Sequence, residues 1–162
     1  MRGSAKLILN VKNLTMRFDT KTIFKDLNFN LKEGSMTALL GPNGTGKTTL
    51  INILMKLLPA TSGSFQFSKN MRLGYVPQNR NIEAEYPLSI QAFVGLNAPL
   101  FKTKKVRAII KGELEETGLN EIANTRMGEA SGGQKQSAYL AQALLDKPNM
   151  IILDEATASL DP

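Results

Sequence analysis

The chain has 162 residues, and its 42% hydrophobic content is sufficient for one domain with its own core. It contains no apolar run near the roughly 18 residues of a membrane span, no signal-peptide pattern and no cysteine, so we expect a soluble protein without disulfides or thiolate metal sites. A net charge of +6 predicts an anionic partner, a class that includes nucleotides, nucleic acids and lipid surfaces.

The first part of the chain has the pattern of strands followed by a helix. The opening residues, "MRGS", are typical of an expression-tag remnant, and residues 1–4 are left out of the fold. Residues 7–18 and 22–31 predict two paired edge strands, and residues 36–40, "MTALL", predict a short buried strand. A helix is predicted over residues 46–58, with an inward face made of Leu50, Ile51, Leu54, Leu57 and Leu58.

The rest of the chain alternates between strand and helix patterns. Strands are predicted at residues 64–67, 72–76 and 150–153, a helical segment at residues 89–117, and a further helix at residues 132–145. This alternation favours an α/β fold built around a mainly parallel sheet. The helical part, residues 85–145, would then form a subdomain inserted into that core.

The basic stretch "KTKKVRAIIK", residues 102–111, predicts an ordinary amphipathic helix. Thr103 stands near its start and Gly118 at its end, which suits a helix boundary at each position. Four basic residues fall on its outer side: Lys104, Lys105, Arg107 and Lys111. The alternative, a stripe that binds nucleic acid, would normally bring interleaved aromatic residues, and none occur here. We therefore expect no nucleic-acid partner.

The glycine-rich run "GPNGTGKT", residues 41–48, fits the pattern of a phosphate-binding loop between a strand and a helix. Its glycines permit backbone angles that turn N–H groups towards phosphate oxygens, and the helix beginning at Gly46 adds its positive dipole end. Lys47 would meet the β- and γ-phosphates, and the Thr48 hydroxyl would ligate Mg²⁺. The alternative is a turn that caps a helix and binds nothing, but such a turn does not need lysine and threonine there.

Two adjacent acids, Asp154 and Glu155, follow the apolar run "MIIL", which predicts a buried strand. In a phosphate site Asp154 would hold the Mg²⁺ shell, and Glu155 would orient or deprotonate the attacking water. The alternative is a pair of exposed acids at a strand end. Lys47 and Thr48 elsewhere in the chain favour the phosphate site.

A second glycine-rich helix start, "ASGGQ", occupies residues 130–134 and opens the helix predicted at residues 132–145. A helix N-terminus with glycines can accept an anion in the same way as the first loop. One nucleotide has no obvious use for both.

Together these motifs resemble the nucleotide-binding subunit of ABC (ATP-binding cassette) ATPases, over residues 7–162. The resemblance implies a Walker A loop at residues 41–49, a Walker B strand at residues 150–154, a signature at residues 130–134, a Q-loop at Gln78 and a D-loop at residues 159–161. It implies bound ATP and Mg²⁺, with Glu155 and Gln78 as catalytic residues and Thr48, Gln78 and Asp154 as metal-binding residues. The nucleotide-binding residues that it implies are Phe18, Gly41, Pro42, Asn43, Gly44, Thr45, Gly46, Lys47, Thr48, Thr49, Ser131, Gly132, Gly133, Gln134 and Asp161.

The resemblance also explains the second glycine-rich start. In this family two cassettes dimerise head to tail, and each signature closes over the nucleotide held by the other subunit's Walker A loop. Integral membrane permease subunits are implied as further partners, which predicts a cytoplasmic subunit held peripherally at the inner face of the cell membrane. Phe18 would stack on adenine, with packing in the core as its alternative.

The sequence departs from the family pattern at several positions. Ala130 replaces the usual leucine, and Ser137 and Gln142 stand where arginines are frequent on the signature helix. The family carries a switch histidine some thirty residues beyond the catalytic glutamate, whereas this sequence has no histidine. We therefore expect that a C-terminal part of the cassette is missing, and that the chain binds ATP but hydrolyses it poorly.

Within the family, residues 72–94 look most like the ATPases of zinc and manganese importers, because Gln78 is followed by a short acidic stretch and then by "YPLSI". The resemblance thus predicts an ATPase subunit that powers import of a divalent metal ion. Two alternatives stay open at this point: a non-transport ABC ATPase, and a nucleotide-binding module without catalysis.

Overall fold

The computed structural model describes residues 6–77, 82–83, 85–99 and 103–154. The chain divides into two compact units, Met1–Met71 and Arg72–Pro162, and each is described by itself. None of the helices in these described ranges combines the length and apolar character needed to cross a membrane.

The first unit contains a three-stranded antiparallel sheet formed by β1 (Leu7–Phe18), β2 (Lys21–Lys32) and β3 (Ser62–Phe67), in the order β2-β1-β3. The predicted pairing of the first two strands is confirmed, but β1 is the central strand and not an edge strand. Its buried hydrophobic residues are Leu9, Val11, Leu14 and Met16. The step from 11 to 14 breaks the twofold alternation because Asn13 lies in a bulge with φ 49°, which adds one residue to the strand.

Helix α1 (Lys47–Leu54) follows the glycine-rich loop and buries Leu50, Ile51, Ile53 and Leu54. The predicted extension of this helix to Leu58 is wrong, and Leu57 is 69% exposed. The helix stops because Lys56 adopts the left-handed conformation, with φ 60°. The Leu57 N–H then donates to the Asn52 carbonyl and the Lys56 N–H to the Ile53 carbonyl, which is the Schellman pattern of helix termination.

The predicted buried strand at residues 36–40 is also wrong. This segment has no strand conformation, and Met36 and Leu40 are 99% and 87% exposed. A strand needs hydrogen-bonding partners beside it, and no strand among the described residues of the first unit pairs with this segment. The central strand β1 already has a neighbour on each side.

The second unit combines a parallel pair of strands, β4 (Leu73–Val76) and β5 (Met150–Leu153), with helices α2 (Ile90–Val94), α3 (Lys104–Glu116) and α4 (Gly132–Leu144). Short 3₁₀ turns cover Gly95–Asn97 and Asn120–Ile122. The helices enclose one hydrophobic cluster, whose largest fully buried members are Ile90, Leu114, Leu119 and Met127. The fold is thus a mixed α/β one. Parallel pairing, which was predicted to dominate, is confined to β4 and β5 within the described residues.

The helical predictions agree well with the second unit. The segment predicted at residues 89–117 is helical at both ends, and Thr103 caps α3 by accepting the Val106 N–H at 3.3 Å. Gly118 follows α3 with φ 71°, and the four basic residues on the outer side of α3 are exposed, as predicted. Strand β5 was predicted to be buried throughout, but only Ile152 is, while Ile151 and Leu153 are 39% and 55% exposed.

Candidate functional site

The glycine-rich loop of the first unit forms a turn just before α1. The Thr45 N–H and hydroxyl both donate to the Pro42 carbonyl, at 3.4 and 2.8 Å, and this closes a four-residue turn. Gly44, inside the turn, has φ 82°, a conformation that residues with a Cβ rarely adopt. The loop residues from 41 to 45 are exposed, so their backbone is open to a ligand.

The N-terminus of α1 is not capped by any side chain. Gly46 is the N-cap residue, with φ 92° and ψ 15°, and the first backbone bond of the helix runs from the Leu50 N–H to the Gly46 carbonyl. The N–H groups of Thr48 and Thr49 come before that bond and have no intrahelical acceptor. They add to the positive end of the helix dipole, which favours an anion at this position.

Packing disfavours a side chain at position 46, in addition to the positive φ of Gly46. A Cβ at this position would overlap the Ile23 side chain and lie 3.3 Å from Phe24 Cδ1. The start of α1 therefore packs directly against strand β2, and only glycine fits at the contact. The same β-hairpin carries Phe18 at the end of β1, where Phe18 pairs with Lys21 across the turn.

The two side chains predicted to bind phosphate and metal lie at the first turn of α1. Lys47 Nζ donates to the Gly41 and Pro42 carbonyls at 2.8 and 3.0 Å, so its ammonium group lies over the loop. The Thr48 hydroxyl belongs to an exposed residue. A phosphate ion at the loop would offer the ammonium charged oxygens in place of neutral carbonyls, and charge-assisted bonds are the stronger ones.

Phe18 is 46% exposed. The alternative that its ring belongs to the core does not agree with this exposure. An exposed aromatic face can stack on a planar ligand, so adenine stacking stays a prediction for Phe18.

In the second unit, Asp154 follows strand β5 and is 3% exposed. Its N–H donates to the Val76 carbonyl at 3.0 Å, which continues the parallel ladder by one residue. Tyr75 pairs with Ile152 in that ladder, and Asp154 lies two residues beyond Ile152 on the same face of the strand. The Tyr75 hydroxyl reaches Asp154 Oδ2 at 3.4 Å, a long and weak hydrogen bond.

Burial raises the pKa of Tyr75, and the negative charge of Asp154 raises it further. The phenol therefore stays protonated at neutral pH and can act as a hydrogen-bond donor to the carboxylate. The sequence analysis missed this residue. The signal that could have found it is the alternation in "GYV", which puts an aromatic hydroxyl on the β4 face that adjoins the acidic end of β5.

The second glycine-rich start forms the N-terminus of α4. Ser131 Oγ accepts the Gln134 N–H at 3.3 Å, and the Ser131 N–H donates to Gln134 Oε1 at 2.9 Å, so the two residues form a capping box. Both side chains predicted to contact nucleotide are thus engaged in the cap. No described residue lies within 4 Å of a Cβ built on Gly132 or Gly133, and neither glycine has a positive φ.

Two further contacts hold α4 in place. The Gln142 amide donates to the Phe93 carbonyl of α2 at 2.8 Å, which gives a structural role to a residue that departs from the family pattern. Tyr139 packs edge to face on Phe93, with ring centroids 4.9 Å apart. The helix that carries residues 131–134 is therefore anchored to the core of its own unit.

The structure brings the predicted site residues together in three groups. Phe18 and residues 41–49 belong to the first unit, whereas residues 131–134 and Asp154 lie at two places in the second unit. Gln78, Glu155 and Asp161 lie outside the described residues. The groups of the first unit, a loop of exposed backbone with a lysine and a threonine hydroxyl, are of the kind that P-loop sites use for phosphate and Mg²⁺. In the second unit, the buried carboxylate of Asp154 is a type of ligand that Mg²⁺ prefers.

Comparisons with known proteins identify the family of the chain. The ABC transporter family matches residues 24–158. The zinc import ATP-binding protein ZnuC of Histophilus somni is 38% identical over 154 residues, which cover 95% of this chain and 56% of that protein. The ZnuC proteins of Haemophilus influenzae and of Ruegeria sp. strain TM1040 are each 36% identical, over 56% and 60% of their lengths. The chain thus spans a little over half the length of these curated relatives.

Solved structures give the same result. A transporter chain in an inward-facing conformation, assigned to the metal-chelate type of ABC transporter, superposes with a TM-score of 0.85 at 27% identity, covering 96% of this chain and 63% of that one. An ATP-binding subunit of an ABC transporter superposes with a TM-score of 0.79 at 24% identity, and at that identity it supports the fold alone. Because the family matches most of the sequence and the neighbours share its fold, the chain belongs to the ABC transporter family.

Proposed function

We propose that the chain is part of an ATP-binding and ATP-hydrolysing subunit that powers an ABC importer, and that the imported solute is a divalent metal ion such as zinc or manganese. The observation that carries the proposal is the loop of residues 41–48. Its left-handed glycines, its lysine and the uncapped start of α1 suit a nucleoside triphosphate. The relatives supply the second part, because they are named as zinc import ATP-binding proteins.

In this function the described residues have separate roles. The loop backbone and the N-terminus of α1 bind phosphate oxygens, Lys47 adds a positive charge, and the exposed ring of Phe18 stacks on the base. Mg²⁺, when bound, screens the charge that develops on the phosphates. Thr48 and Asp154 would hold it, and Tyr75 would restrict the carboxylate of Asp154 through its hydroxyl.

The residues assigned to chemistry lie outside the described ranges and stay predictions. Glu155 would orient or deprotonate the attacking water, and Gln78 would contact the metal and that water. Asp161 would complete the nucleotide site.

The glycines of α4 favour a site shared between two subunits. No described residue would obstruct a Cβ at Gly132 or Gly133, so packing within the described ranges does not require glycine at either position. Glycine is the weakest helix former after proline, so both residues lower the stability of α4 relative to alanine. Bare backbone at a helix N-terminus is useful where a phosphate must approach closely. We assign that phosphate to a nucleotide on a second, head-to-tail subunit.

The binding part of the proposal is tested by calorimetry with Mg-ATP. Lys47→Ala removes a charge-assisted contact worth about 1.5–3 kcal/mol, so we expect roughly tenfold to hundredfold weaker binding. Lys69→Ala is the matched control, because Lys69 is exposed and lies in the same unit. This substitution removes the same positive charge at a position outside the loop. Equal ATP affinity for Lys47→Ala and Lys69→Ala would refute the assigned site.

The shared site is tested by mixing two inactive variants in the complete subunit. A Lys47→Ala subunit retains its α4 glycines, and a Gly133→Asp subunit retains its phosphate loop, so each mixed dimer should contain one competent site. We expect hydrolysis to return on mixing. No recovery in dimers that are proven to be mixed would exclude a site built from two subunits.

The transport part is tested by purification of the complete, tagged subunit from detergent-solubilised membranes. We expect an integral membrane permease to copurify, and uptake of zinc or manganese to require the intact phosphate loop. Recovery with ribosomes or nucleic acid, or without any membrane protein, would favour the non-transport ATPase instead.

A further inference from the structure

The phosphate loop contains an asparagine that is followed by a glycine, Asn43-Gly44. Among all the asparagines in the sequence, only Asn43 is followed by glycine. Asn43 and Gly44 are both exposed, and they form the two central positions of the turn closed by Thr45 and Pro42. The positive φ of Gly44, 82°, matches the third residue of a type II turn.

The local geometry leaves the reacting groups accessible. No acceptor among the described residues takes the Gly44 N–H, and no described residue bonds to the Asn43 side-chain amide. No described residue lies within 4 Å of a Cβ built on Gly44, so the space beside the Gly44 Cα is open. Because glycine carries no side chain, its nitrogen also has no neighbouring Cβ to obstruct it.

We propose that Asn43 is a site of spontaneous deamidation, and that this reaction adds a carboxylate to the phosphate loop and cancels the positive charge of Lys47. The Gly44 nitrogen, after losing its proton to hydroxide, attacks Asn43 Cγ and forms a five-membered succinimide. The bond from Cγ to the side-chain nitrogen breaks, and that nitrogen leaves as ammonia after taking a proton from water. Water then adds to either ring carbonyl, the bond from that carbonyl carbon to the Gly44 nitrogen breaks, and the nitrogen takes back a proton. Attack at the Cγ carbonyl gives aspartate, and attack at the main-chain carbonyl gives isoaspartate. One water is consumed and one ammonia released, and no oxidant or reductant takes part.

Both products make the charge of the loop more negative. Each places a carboxylate within the turn, and isoaspartate also lengthens the main chain by one methylene. A negative charge beside a phosphate-binding backbone repels an anionic ligand. This consequence rests on the proposed function, whereas the deamidation itself does not.

A matched internal control exists in the same unit. Asn70 is exposed and has a positive φ of 63°, as turn asparagines often do, but the next residue is Met71. Asn70 is therefore an exposed asparagine of the same unit that is followed by a residue with a side chain, but its φ is positive and that of Asn43 is not. The variant Gly44→Ala, which leaves Asn43 in its own turn, isolates the effect of the glycine.

The experiment is to incubate the chain without nucleotide at mildly alkaline and mildly acidic pH, and to follow both asparagines by peptide mass and by enzymatic isoaspartate assay. We expect Asn43 to convert at least about tenfold faster than Asn70, since only its neighbour lacks a Cβ. The rate should rise with pH, because the attacking nitrogen must be deprotonated. Gly44→Ala should slow the conversion, and Asn43→Gln, which keeps the glycine and lengthens the side chain, should nearly abolish it. Equal rates at Asn43 and Asn70, or an unchanged rate in both variants, would overturn the proposal.

A second arm measures Mg-ATP binding by the fresh and the aged chain. We expect binding capacity to fall in parallel with the acidic fraction at position 43, and Mg-ATP added during incubation to slow the conversion. Full ATP affinity in a completely deamidated chain would overturn the proposed loss of the site. If the fresh chain does not bind ATP, the proposed function fails, and the mass data still decide whether Asn43 is the labile residue.

Discussion

Gly46 offers the sharpest test of how the fold constrains the phosphate loop. Gly46→Ala puts a Cβ at φ 92°, in a region that costs an L-residue about 1–2 kcal/mol. The same Cβ overlaps Ile23 and approaches Phe24 Cδ1 to 3.3 Å, and overpacking of this kind costs about 1–3 kcal/mol. The two terms sum to about 2–5 kcal/mol, a large share of the roughly 5–15 kcal/mol that stabilises a typical domain.

The assay is chemical denaturation of Gly46→Ala beside Gly44→Ala as the control. Gly44 has a similar φ of 82° but open space around its Cβ, so Gly44→Ala should lose only the conformational term of about 1–2 kcal/mol. The chain has no tryptophan, so far-UV circular dichroism follows both units, and tyrosine fluorescence follows the second, which contains all three tyrosines. Equal destabilisation by the two variants would refute the packing of α1 against β2.

Three further predictions concern the second unit. Ser131→Ala removes the capping box of α4 and should cost about 1 kcal/mol in the unfolding free energy, whereas Ser137→Ala, within the same helix, should cost much less. Gly112→Ala, inside α3 with nothing near its Cβ, should stabilise the chain by about 0.5–1 kcal/mol in the same assay. Burial, followed by the charge of Glu116, raises the pKa of Glu113 above its ordinary 4.5, and Glu113 Oε2 is buried without a partner among the described residues. A carboxyl group with a raised pKa favours the folded state below about pH 4.5, and this contribution to stability is lost as the pH rises. Glu113→Gln should therefore stabilise the chain at neutral pH by under about 1 kcal/mol and should have no such effect at low pH.

Local sequence signals were sufficient where each element carried its own boundary residues. Helix α3 begins at its Thr103 cap and is followed by Gly118, and both boundaries lie where the sequence placed them. The hairpin of β1 and β2 followed from apolar alternation on two adjacent runs. In these cases the residues that determine the structure are neighbours along the chain.

Sequence signals failed where the outcome depends on partners or on an unusual backbone angle. Helix α1 ends because Lys56 takes a left-handed conformation that usually indicates glycine, so no residue type marked the stop. Residues 36–40 have the composition of a core strand, but composition does not supply the neighbouring strand that such a segment must pair with. The exposure of Leu153 likewise follows from what packs on the strand and not from the strand itself.

The glycines of the candidate site also show that one residue type can have a role that the sequence alone does not distinguish. The sequence presents Gly46 and Gly133 as the same letter in two glycine-rich helix starts, and it assigns both to phosphate binding. In the structure, a Cβ at Gly46 would overlap Ile23 of β2, whereas a Cβ at Gly133 would have no described residue within 4 Å. A variant at Gly46 therefore confounds folding with binding, while a variant at Gly133 changes the helix propensity of α4 without a clash among the described residues. For this reason the shared-site test uses Gly133→Asp, whose effect on binding can be separated from an effect on packing.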